Sequence, residues 1–306
     1  MVARAFLLGS ATALVALALA GDAPSLAVER DGVWVEWWRA DRAPRQWSGG
    51  LEAVTGAVEW TPAANGVDWG TFRLSGSGEA WRLRVIVARM DPARVHFALA
   101  GTHEPAGRGR GWSIDQTPDL AVVALNAGQF SDAGPWGWVV RDGREVRAPG
   151  YGPLAPAVVV DSSGDVRLVP ADSVTIVRRD GGIATAFQSY PAVLVRDGEV
   201  PSPLFNEGSG VNLRHRDARL AIGLLRDGRV LIAMTRFEAL GGALSNLPFG
   251  LTTPEMAAVM GALGASRAVL LDGGISSQLL VRDTTGEARA WRGLRQVPLG
   301  LVVTRR

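Results

Sequence analysis

The most informative part of the sequence runs from Ala268 to Val281 and reads AVLLDGGISSQLLV. An apolar run ends at Asp272, the two glycines and two serines follow, and a second apolar run then begins. This pattern predicts a buried strand that delivers one carboxylate at its C-terminal end, a usual position for a functional site. The glycines allow a sharp turn or the close approach of a ligand to the backbone. A hairpin turn without function is the simpler alternative, because Asp-Gly is the strongest short hairpin signal.

A second stretch, from Leu120 to Phe130, follows the same logic. Its continuous apolar run is typical of a strand that is covered on both faces. The run ends in a polar side chain, Asn126, followed by Ala127 and Gly128. Asn126 and the aspartate of the first stretch are therefore both candidate site residues.

Hairpins and one helix complete the prediction of the fold. Asp-Gly pairs between β-prone runs predict hairpins at residues 142–143, 197–198 and 227–228. Thr252 is a suitable helix N-cap, with Pro254 and Glu255 in the first turn, and an apolar stripe continues to Gly264. That stripe predicts packing against the core. We expect an α+β fold, sheet-rich, with several antiparallel hairpins and few helices.

Composition narrows the possible functions. The chain has 306 residues, 47% of them hydrophobic and 20% charged, which is typical of a folded protein with a large core. All 32 basic residues are arginine, but the net charge is only +2 and no basic run occurs. A nucleic-acid partner is therefore not expected. Since there is no cysteine, no disulfide framework is expected either.

The N-terminus predicts export. Residues 1–20 combine a short positive start, a small apolar run and a small-residue cleavage site, which is typical of a secretory signal peptide. A retained membrane anchor is the alternative, although the run is short for a spanning helix. The prediction is a periplasmic or secreted protein with no membrane span after cleavage. Residues 21–80 then form a tryptophan-rich N-terminal region, whose tryptophans favour core packing over sugar stacking.

Several common active sites are excluded. The glycines and serines after Asp272 do not form a nucleophile elbow, which needs a serine between glycines and a downstream histidine. The three histidines are scattered and all lie upstream. No lysine-containing phosphate loop exists. What remains is Asn126, Asp272 and an arginine cluster that includes Arg216 and Arg219, and planar guanidinium groups suit phosphate recognition.

Four blocks in order resemble the phosphodiester glycosidase family, which contains the enzyme that uncovers mannose 6-phosphate. The last of the four blocks is LDGGISS, which resembles the family's Leu-Asp-Gly-Gly-x-Ser-Ser signature. The matching blocks are residues 124–130, 189–198, 216–223 and 271–277. They span about residues 120–303, so we assign residues 81–306 to a phosphodiester glycosidase-like domain. Three positions depart from the family pattern, Ala127, Leu220 and Ile275, and the hydroxyl missing at Leu220 suggests altered substrate choice.

The resemblance implies hydrolysis of a sugar 1-phosphodiester in a phosphorylated sugar or glycan. It implies that Arg219, helped by Arg216, holds the phosphate and that Asp272 activates water or stabilises positive charge on the sugar. Further contacts to the substrate are predicted for Asn126, Phe130, Gly273, Gly274, Ser276 and Ser277. Asn126 is grouped with Arg219 and Asp272 as catalytic.

Two other functions are left open by the sequence. One is a non-catalytic envelope protein that binds phosphorylated glycans. The other is a structural domain in which Arg219 and Asp272 pair inside the core. No cofactor is predicted, but Asp132 and Asp161 are candidate oxygen ligands for a divalent cation.

Overall fold

The fold is described from a computed structural model for residues 23–101, 111–238, 247 and 249–306. The predicted signal peptide, residues 1–20, lies outside the described residues. Within them the chain forms 21 strands and three α-helices, which confirms the predicted sheet-rich α+β class. None of the helices in these ranges has the length and apolar character needed to cross a membrane.

The elements are numbered along the chain. The strands are β1 (Ser25–Arg30), β2 (Val33–Arg39), β3 (Glu59–Ala64), β4 (Val67–Gly76), β5 (Leu83–Met90), β6 (Val95–Gly101), β7 (Ala121–Asn126), β8 (Phe130–Ser131), β9 (Gly134–Pro135), β10 (Val139–Arg141), β11 (Arg144–Arg147), β12 (Ala157–Asp161), β13 (Val166–Val169), β14 (Ile183–Gln188), β15 (Ala192–Leu194), β16 (Leu220–Leu225), β17 (Val230–Phe237), β18 (Ala265–Leu270), β19 (Leu279–Arg282), β20 (Ala288–Trp291) and β21 (Leu299–Arg305). The helices are α1 (Glu52–Thr55), α2 (Val174–Asp180) and α3 (Thr253–Ala262).

The strands form three main sheets. A nine-stranded sheet has the order β15-β18-β16-β17-β5-β4-β1-β2, with β3 paired to β4. Two five-stranded sheets have the orders β11-β10-β14-β12-β13 and β20-β19-β7-β21-β6, and β8 pairs with β9. All strand pairs in the described ranges are antiparallel, as predicted.

The nine-stranded sheet has an apolar core on each face. On β16, Ala221 faces one core and Ile222 faces the other, as the two-residue alternation of strand side chains requires. The first core contains α3 and part of the N-terminal region. The second core lies between this sheet and the two five-stranded sheets, which contribute Leu125, Val158 and Leu301. The protein is therefore built in layers, with β16 and β18 covered on both sides.

The tryptophan-rich region belongs to the same sheet as the rest of the chain. β4, which ends at Gly76, pairs along its length with β5, which begins at Leu83. Trp38 and Trp47 are buried in the first core, in agreement with the preference for core packing. Trp34 remains 45% exposed. The sheet thus continues across the sequence position where the N-terminal region was predicted to end.

Two of the predicted Asp-Gly hairpins form as expected. Asp142-Gly143 joins β10 to β11, and both residues have positive φ (52° and 75°), as a type I′ turn requires. The pair at 227–228 joins β16 to β17. The pair at 197–198 lies in a turn that the Val195 N–H closes by donating to the Glu199 carbonyl, but the chain after it forms an isolated bridge between Glu199 and Gln46 in place of a second strand.

The predicted helix is α3. The Thr252 side chain accepts a hydrogen bond from the Glu255 main-chain N–H, and the Glu255 side chain accepts one from Thr252, which completes a capping box. The predicted apolar stripe, including Met256 and Val259, is fully buried. The helix packs on β15 and β18, and Gly264, which has a φ of +94°, follows its C-terminal cap at Leu263. This packing places the end of β18 at a fixed point beside the helix.

Candidate active site

The segment from Asp272 to Gln278 connects two different sheets. β18 lies in the nine-stranded sheet, whereas β19 pairs with β7 in a five-stranded sheet. Between them the chain forms a short 3-10 turn over Gly274–Ser276. The simple hairpin alternative is therefore wrong, since β18 and β19 do not pair with each other. We call residues 272–278 the crossover.

Asn126 holds both ends of the crossover. Its Nδ2 donates a hydrogen bond to the main-chain carbonyl of Asp272. Its Oδ1 accepts one of 3.0 Å from the main-chain N–H of Gln278. Because the side chain is 0% exposed, it does not reach solvent. The geometry thus gives Asn126 a positioning role, and its contact with a substrate stays a prediction.

Gly273 and Gly274 lie against the segment that leads into β16. A Cβ on Gly273 would be 2.5 Å from the carbonyl oxygen of Ala218, and one on Gly274 would be 2.8 Å from a carboxylate oxygen of Asp217. Gly274 also has a φ of +60°, which disfavours other residues. The two glycines therefore allow the crossover to approach other protein atoms. Their contact with a ligand stays a prediction.

The carboxyl group of Asp272 is poised to titrate near neutral pH. Burial raises the pKa of Asp272 from 3.8 to about 6, and the negative charge of Asp217 adds to the rise. The Ser276 hydroxyl, the Arg295 charge and the Asn126 amide act in the opposite direction. Among the described residues, its buried Oδ2 has no hydrogen-bond partner. A desolvated acid of this kind is suited to proton transfer.

Asp217 is a second carboxylate that the sequence reasoning did not single out. Burial raises the pKa of Asp217, while the charges of Arg219 and His215 lower it. The Nε2 atom of His215 lies 3.6 Å from Oδ2 of Asp217. Oδ1 is buried and unpaired within the described ranges. The sequence signal that could have identified Asp217 is its position in a matching block, two residues before Arg219.

Unpaired polar atoms concentrate at this junction. Of eight buried side-chain atoms without a hydrogen-bond partner in the described part of the chain, five belong to the crossover or to residues beside it. They are Asp217 Oδ1, Arg236 Nε, Asp272 Oδ2, Ser277 Oγ and Gln278 Nε2. Native proteins leave few buried polar groups unpaired, so such a concentration indicates a functional site.

Arg216 and Arg219, the predicted phosphate-binding pair, both have protein partners. Arg216 donates hydrogen bonds of 2.7 and 2.8 Å to the two carboxylate oxygens of Glu255, whose side chain is almost fully buried. Arg219 donates from Nε to the carbonyl oxygen of Leu251 (2.8 Å) and from Nη2 to that of His215 (2.6 Å). Arg216 therefore stabilises the start of α3, and its contact with phosphate stays a prediction.

Arg295 is a cation at the site that lies outside the four matching blocks. It follows β20, and its Nε donates a hydrogen bond of 2.6 Å to the Ser276 hydroxyl. Its guanidinium carbon lies 4.8 Å from the centre of the Phe130 ring, within cation–π distance. In the described residues its two terminal nitrogens have no hydrogen-bond or ion-pair partner. Ser276 and Phe130, both predicted to bind substrate, thus orient an arginine beside Asp272.

Comparison with protein families gives a match over this whole region. The model of the phosphodiester glycosidase family matches residues 119–304, more than half of the chain. The chain belongs to the phosphodiester glycosidase family. The matched region includes Asn126, Asp217, Arg219, Asp272 and Arg295. Comparison of the sequence with curated proteins gives no match.

Two solved structures share this phosphodiester glycosidase fold. One is the zebrafish N-acetylglucosamine-1-phosphodiester α-N-acetylglucosaminidase catalytic domain, auto-inhibited by its pro-peptide. It has a TM-score of 0.58 and 16% identity, and the similarity covers 87% of this chain and 96% of that one. The other is a hypothetical protein from Synechocystis, with a TM-score of 0.50, 16% identity and coverage of 89% and 66%. At such low identity these likenesses establish the fold alone.

The three residues predicted to be catalytic lie in one neighbourhood of this phosphodiester glycosidase. Asn126 contacts Asp272 directly, and Asp217 interacts electrostatically with both Arg219 and Asp272. Arg219 and Asp272 form no ion pair with each other in the described structure, which argues against the purely structural alternative.

Two cavities of the described chain lie elsewhere. One, of about 550 Å³, is lined by β13 and by Arg226 and Arg267. The other, of about 230 Å³, is lined by Trp38, Arg216 and Glu255. Asp272 lines neither of them. The candidate site is therefore identified by its polar groups and not by either of these cavities.

Arg236 and Ser277 complete the polar groups around the crossover. Arg236, on β17, is 4% exposed, and burial lowers the pKa of its guanidinium to about 10. It donates hydrogen bonds to the main-chain carbonyls of Ser277 and Arg292. The cation therefore holds the crossover against the end of β20. Ser277 is itself fully buried, so its contact with a substrate stays a prediction.

The departures from the family pattern have a structural explanation. Leu220 and Ala127 are both 0% exposed. Leu220 packs in the core between the sheets, where a threonine hydroxyl would need a partner. Because its side chain faces apolar neighbours, any effect of this position on the substrate would be indirect, and the altered substrate choice stays a prediction. Ile275 is 39% exposed on the 3-10 turn.

The aspartates considered for a cation have other positions. Asp161 ends β12, and its carboxylate accepts hydrogen bonds of 3.0 Å from the N–H groups of Ser163, Gly164 and Asp165. Asp132 lies in the turn between β8 and β9. No group of three or more His, Asp or Glu placed to hold a metal ion occurs in the described ranges. Asp161 therefore caps a turn, and a cation at these aspartates stays a prediction.

Proposed function

We propose that this phosphodiester glycosidase hydrolyses a sugar 1-phosphodiester of the N-acetylglucosamine 1-phosphodiester type, in an envelope or extracellular glycan. The observation that carries the proposal is the state of Asp272. Its carboxyl group is desolvated, has one unpaired oxygen and lies beside the positive charge of Arg295. An activated carboxylate next to an arginine suits a reaction that separates a sugar from an anionic leaving group.

The proposed reaction has a simple balance of bonds. Water attacks the anomeric carbon, the bond from that carbon to the phosphate oxygen breaks, and the phosphomonoester leaves with the bonding electrons. The Asp272 carboxylate accepts the proton released by the water. Ordinary glycosidases use a second carboxylic acid to protonate a poor alkoxide leaving group. A phosphomonoester is stable as an anion, so here cations matter more than an acid.

Asp217 and Asn126 support Asp272 in this scheme. The negative charge of Asp217 raises the pKa of Asp272 and so strengthens it as a base. Arg219 balances part of that negative charge, since its own charge acts on Asp217. Asn126 fixes the main chain of Asp272 and of Gln278, which sets the direction of the carboxyl group.

The test is hydrolysis of an N-acetylglucosaminyl phosphodiester by the purified protein. Asp272→Asn is expected to lower kcat by about 100-fold or more, the usual contribution of a general base. kcat/KM of the native protein should fall below about pH 6, where Asp272 becomes protonated. Asp119→Asn is the matched control, because that side chain is fully exposed. An Asp272→Asn variant with native activity would refute the assignment.

A non-catalytic protein that binds phosphorylated glycans is the second candidate. Arg295 supports it, because among the described residues its terminal nitrogens have no hydrogen-bond partner and suit phosphate binding with or without turnover. The two candidates separate in one experiment. Binding of the phosphodiester without release of sugar supports the second candidate, and turnover excludes it.

Export is proposed from the leader-like residues 1–20. The substrate class agrees with it, since envelope glycans lie outside the cytoplasm. The test is the N-terminal sequence of the mature protein recovered from its native cell. A start near Gly21 supports export with cleavage, and a mature protein that keeps its first residues contradicts it.

A further inference from the structure

We propose that Arg295, which the sequence reasoning did not include, is the residue that binds the phosphate of the substrate. The proposal rests on the proposed function and makes it more specific. A phosphate needs a guanidinium with terminal N–H groups that are accessible and unpaired. Arg236 is buried and donates to main-chain carbonyls, and the other arginines around the crossover and β16, which are Arg216, Arg219 and Arg295, differ in this respect.

Arg216 already forms an ion pair with a carboxylate of the protein. Both of its terminal nitrogens donate to Glu255, in the bidentate geometry that a phosphate would also need. Glu255 is 1% exposed and caps α3, so a substrate could gain Arg216 only by leaving a buried carboxylate unpaired. Arg216 is therefore a structural cation.

Arg219 uses part of its hydrogen-bonding capacity on protein atoms. Two of its three nitrogens donate to main-chain carbonyls, and its charge is directed at Asp217. A negative partner already balances this cation, so it is less available to a second anion. Its effect on the substrate is expected through Asp217.

Arg295 has the features that the other two lack. Its side chain is exposed, and only Nε is used, in a hydrogen bond to Ser276. The Phe130 ring lies under the guanidinium and, together with the hydrogen bond from Nε to Ser276, restricts its rotation. An oriented guanidinium loses less entropy when it binds an anion. In the described chain no carboxylate forms an ion pair with it.

The position of Arg295 also suits the reaction. Its charge acts on Asp272, so the two groups lie within electrostatic range of each other. A phosphate bound at Arg295 would place the neighbouring anomeric carbon towards Asp272. When the bond to the sugar breaks, negative charge grows on the phosphate and the hydrogen bonds from the guanidinium strengthen. Arg295 would thus bind the substrate and also stabilise the departure of the phosphomonoester.

The experiment compares Arg295→Ala and Arg295→Lys with Arg292→Ala. Arg292 is a matched control, because it is an exposed arginine of the same segment that pairs with Asp115 at 2.9 Å. Two quantities are measured for each protein: kcat and KM for an N-acetylglucosaminyl phosphodiester, and the Kd of inorganic phosphate by titration calorimetry. Thermal melting checks that the variants fold.

Arg295→Ala is expected to lower kcat/KM by about 10- to 100-fold, as removal of a charge-assisted hydrogen-bond pair does. Arg295→Lys should fall between alanine and the native protein, because lysine keeps the charge but not the planar fork. Arg292→Ala should stay close to native. Phosphate should bind more weakly to Arg295→Ala than to Arg292→Ala.

Each outcome decides between the two proposals. If the native protein turns over the substrate and Arg295→Ala keeps kcat/KM within about twofold of native, the role of Arg295 is overturned, since the expected loss is far larger. The proposed function then still stands. Absence of native turnover, with phosphate binding that depends on Arg295, supports this site and overturns the proposed enzyme. If there is no turnover and phosphate binding does not depend on Arg295, both are overturned.

Discussion

Asp272→Asn is expected to make the folded protein more stable at neutral pH while it removes activity. Burial raises the pKa of Asp272 from 3.8 to about 6, so the folded protein binds this proton more tightly than the unfolded chain does. The native free energy of unfolding therefore falls as the pH rises from about 4 to about 6. A rise of about 2 pKa units corresponds to about 3 kcal/mol, at about 1.4 kcal/mol per unit. Asparagine cannot ionise, so the variant avoids this loss.

The assay is urea unfolding of the native protein and the variant at several pH values. The two proteins should have nearly equal free energies of unfolding near pH 4 and differ by up to about 3 kcal/mol above about pH 6.5. Asp119→Asn should show no such difference, because its side chain is fully exposed. If Asp272→Asn is no more stable than the native protein at neutral pH, the carboxyl group is not desolvated as described, and the basis for its role as a base is lost.

Three further predictions concern the framework of the site. Asn126→Ala should lower the free energy of unfolding by about 2–4 kcal/mol, because it leaves a buried carbonyl and a buried N–H unpaired. Asn206→Ala, at an exposed amide, should change that free energy little. Urea titration of both variants compares the two effects. Gly274→Ala should cost about 2–4 kcal/mol through its positive φ and the close carboxylate, and a native midpoint in the same titration would contradict that contact. Glu255→Ala should lower the free energy of unfolding by about 3–5 kcal/mol, because it leaves Arg216 without its carboxylate partner. In the Glu255→Ala background, Arg216→Ala should cost far less than it does in the native protein. Additive losses in the double variant would show that the pair is uncoupled.

The sequence predicted local features of the fold well. The cap at Thr252, the Asp-Gly turn at 142–143 and the buried run that ends at Asn126 all depend on residues close together in the chain. Such signals are complete within a few residues, so they can be interpreted without knowledge of the fold. The antiparallel, sheet-rich class followed from them.

The connection at Asp272 could not be predicted in the same way. An Asp-Gly pair suits a hairpin and a crossover equally, and what separates the two is the strand with which β19 pairs. That partner is β7, more than a hundred residues earlier in the chain. Pairing over such a distance leaves no local mark in the sequence.

The partners of charged side chains were equally hidden. Arg216 and Arg219 are suitable phosphate ligands by residue type, but α3 and the segment before it supply Glu255 and the Leu251 carbonyl as partners. Arg295 lies outside the matching blocks, and its contacts with Ser276 and Phe130 bring it to the site. Sequence identified the region of the site, and the structure determined which of its cations are available.

The position of β7 has a consequence for how the protein is made. This strand is apolar and fully buried, yet both of its neighbours, β19 and β21, are synthesised more than 150 residues after it. The contact from Asn126 to the crossover joins residues that are 146 positions apart. Until those two strands are available, β7 has open edges that can pair with other chains. Protection of the nascent chain from aggregation and completion of the site thus depend on the synthesis of the same two strands.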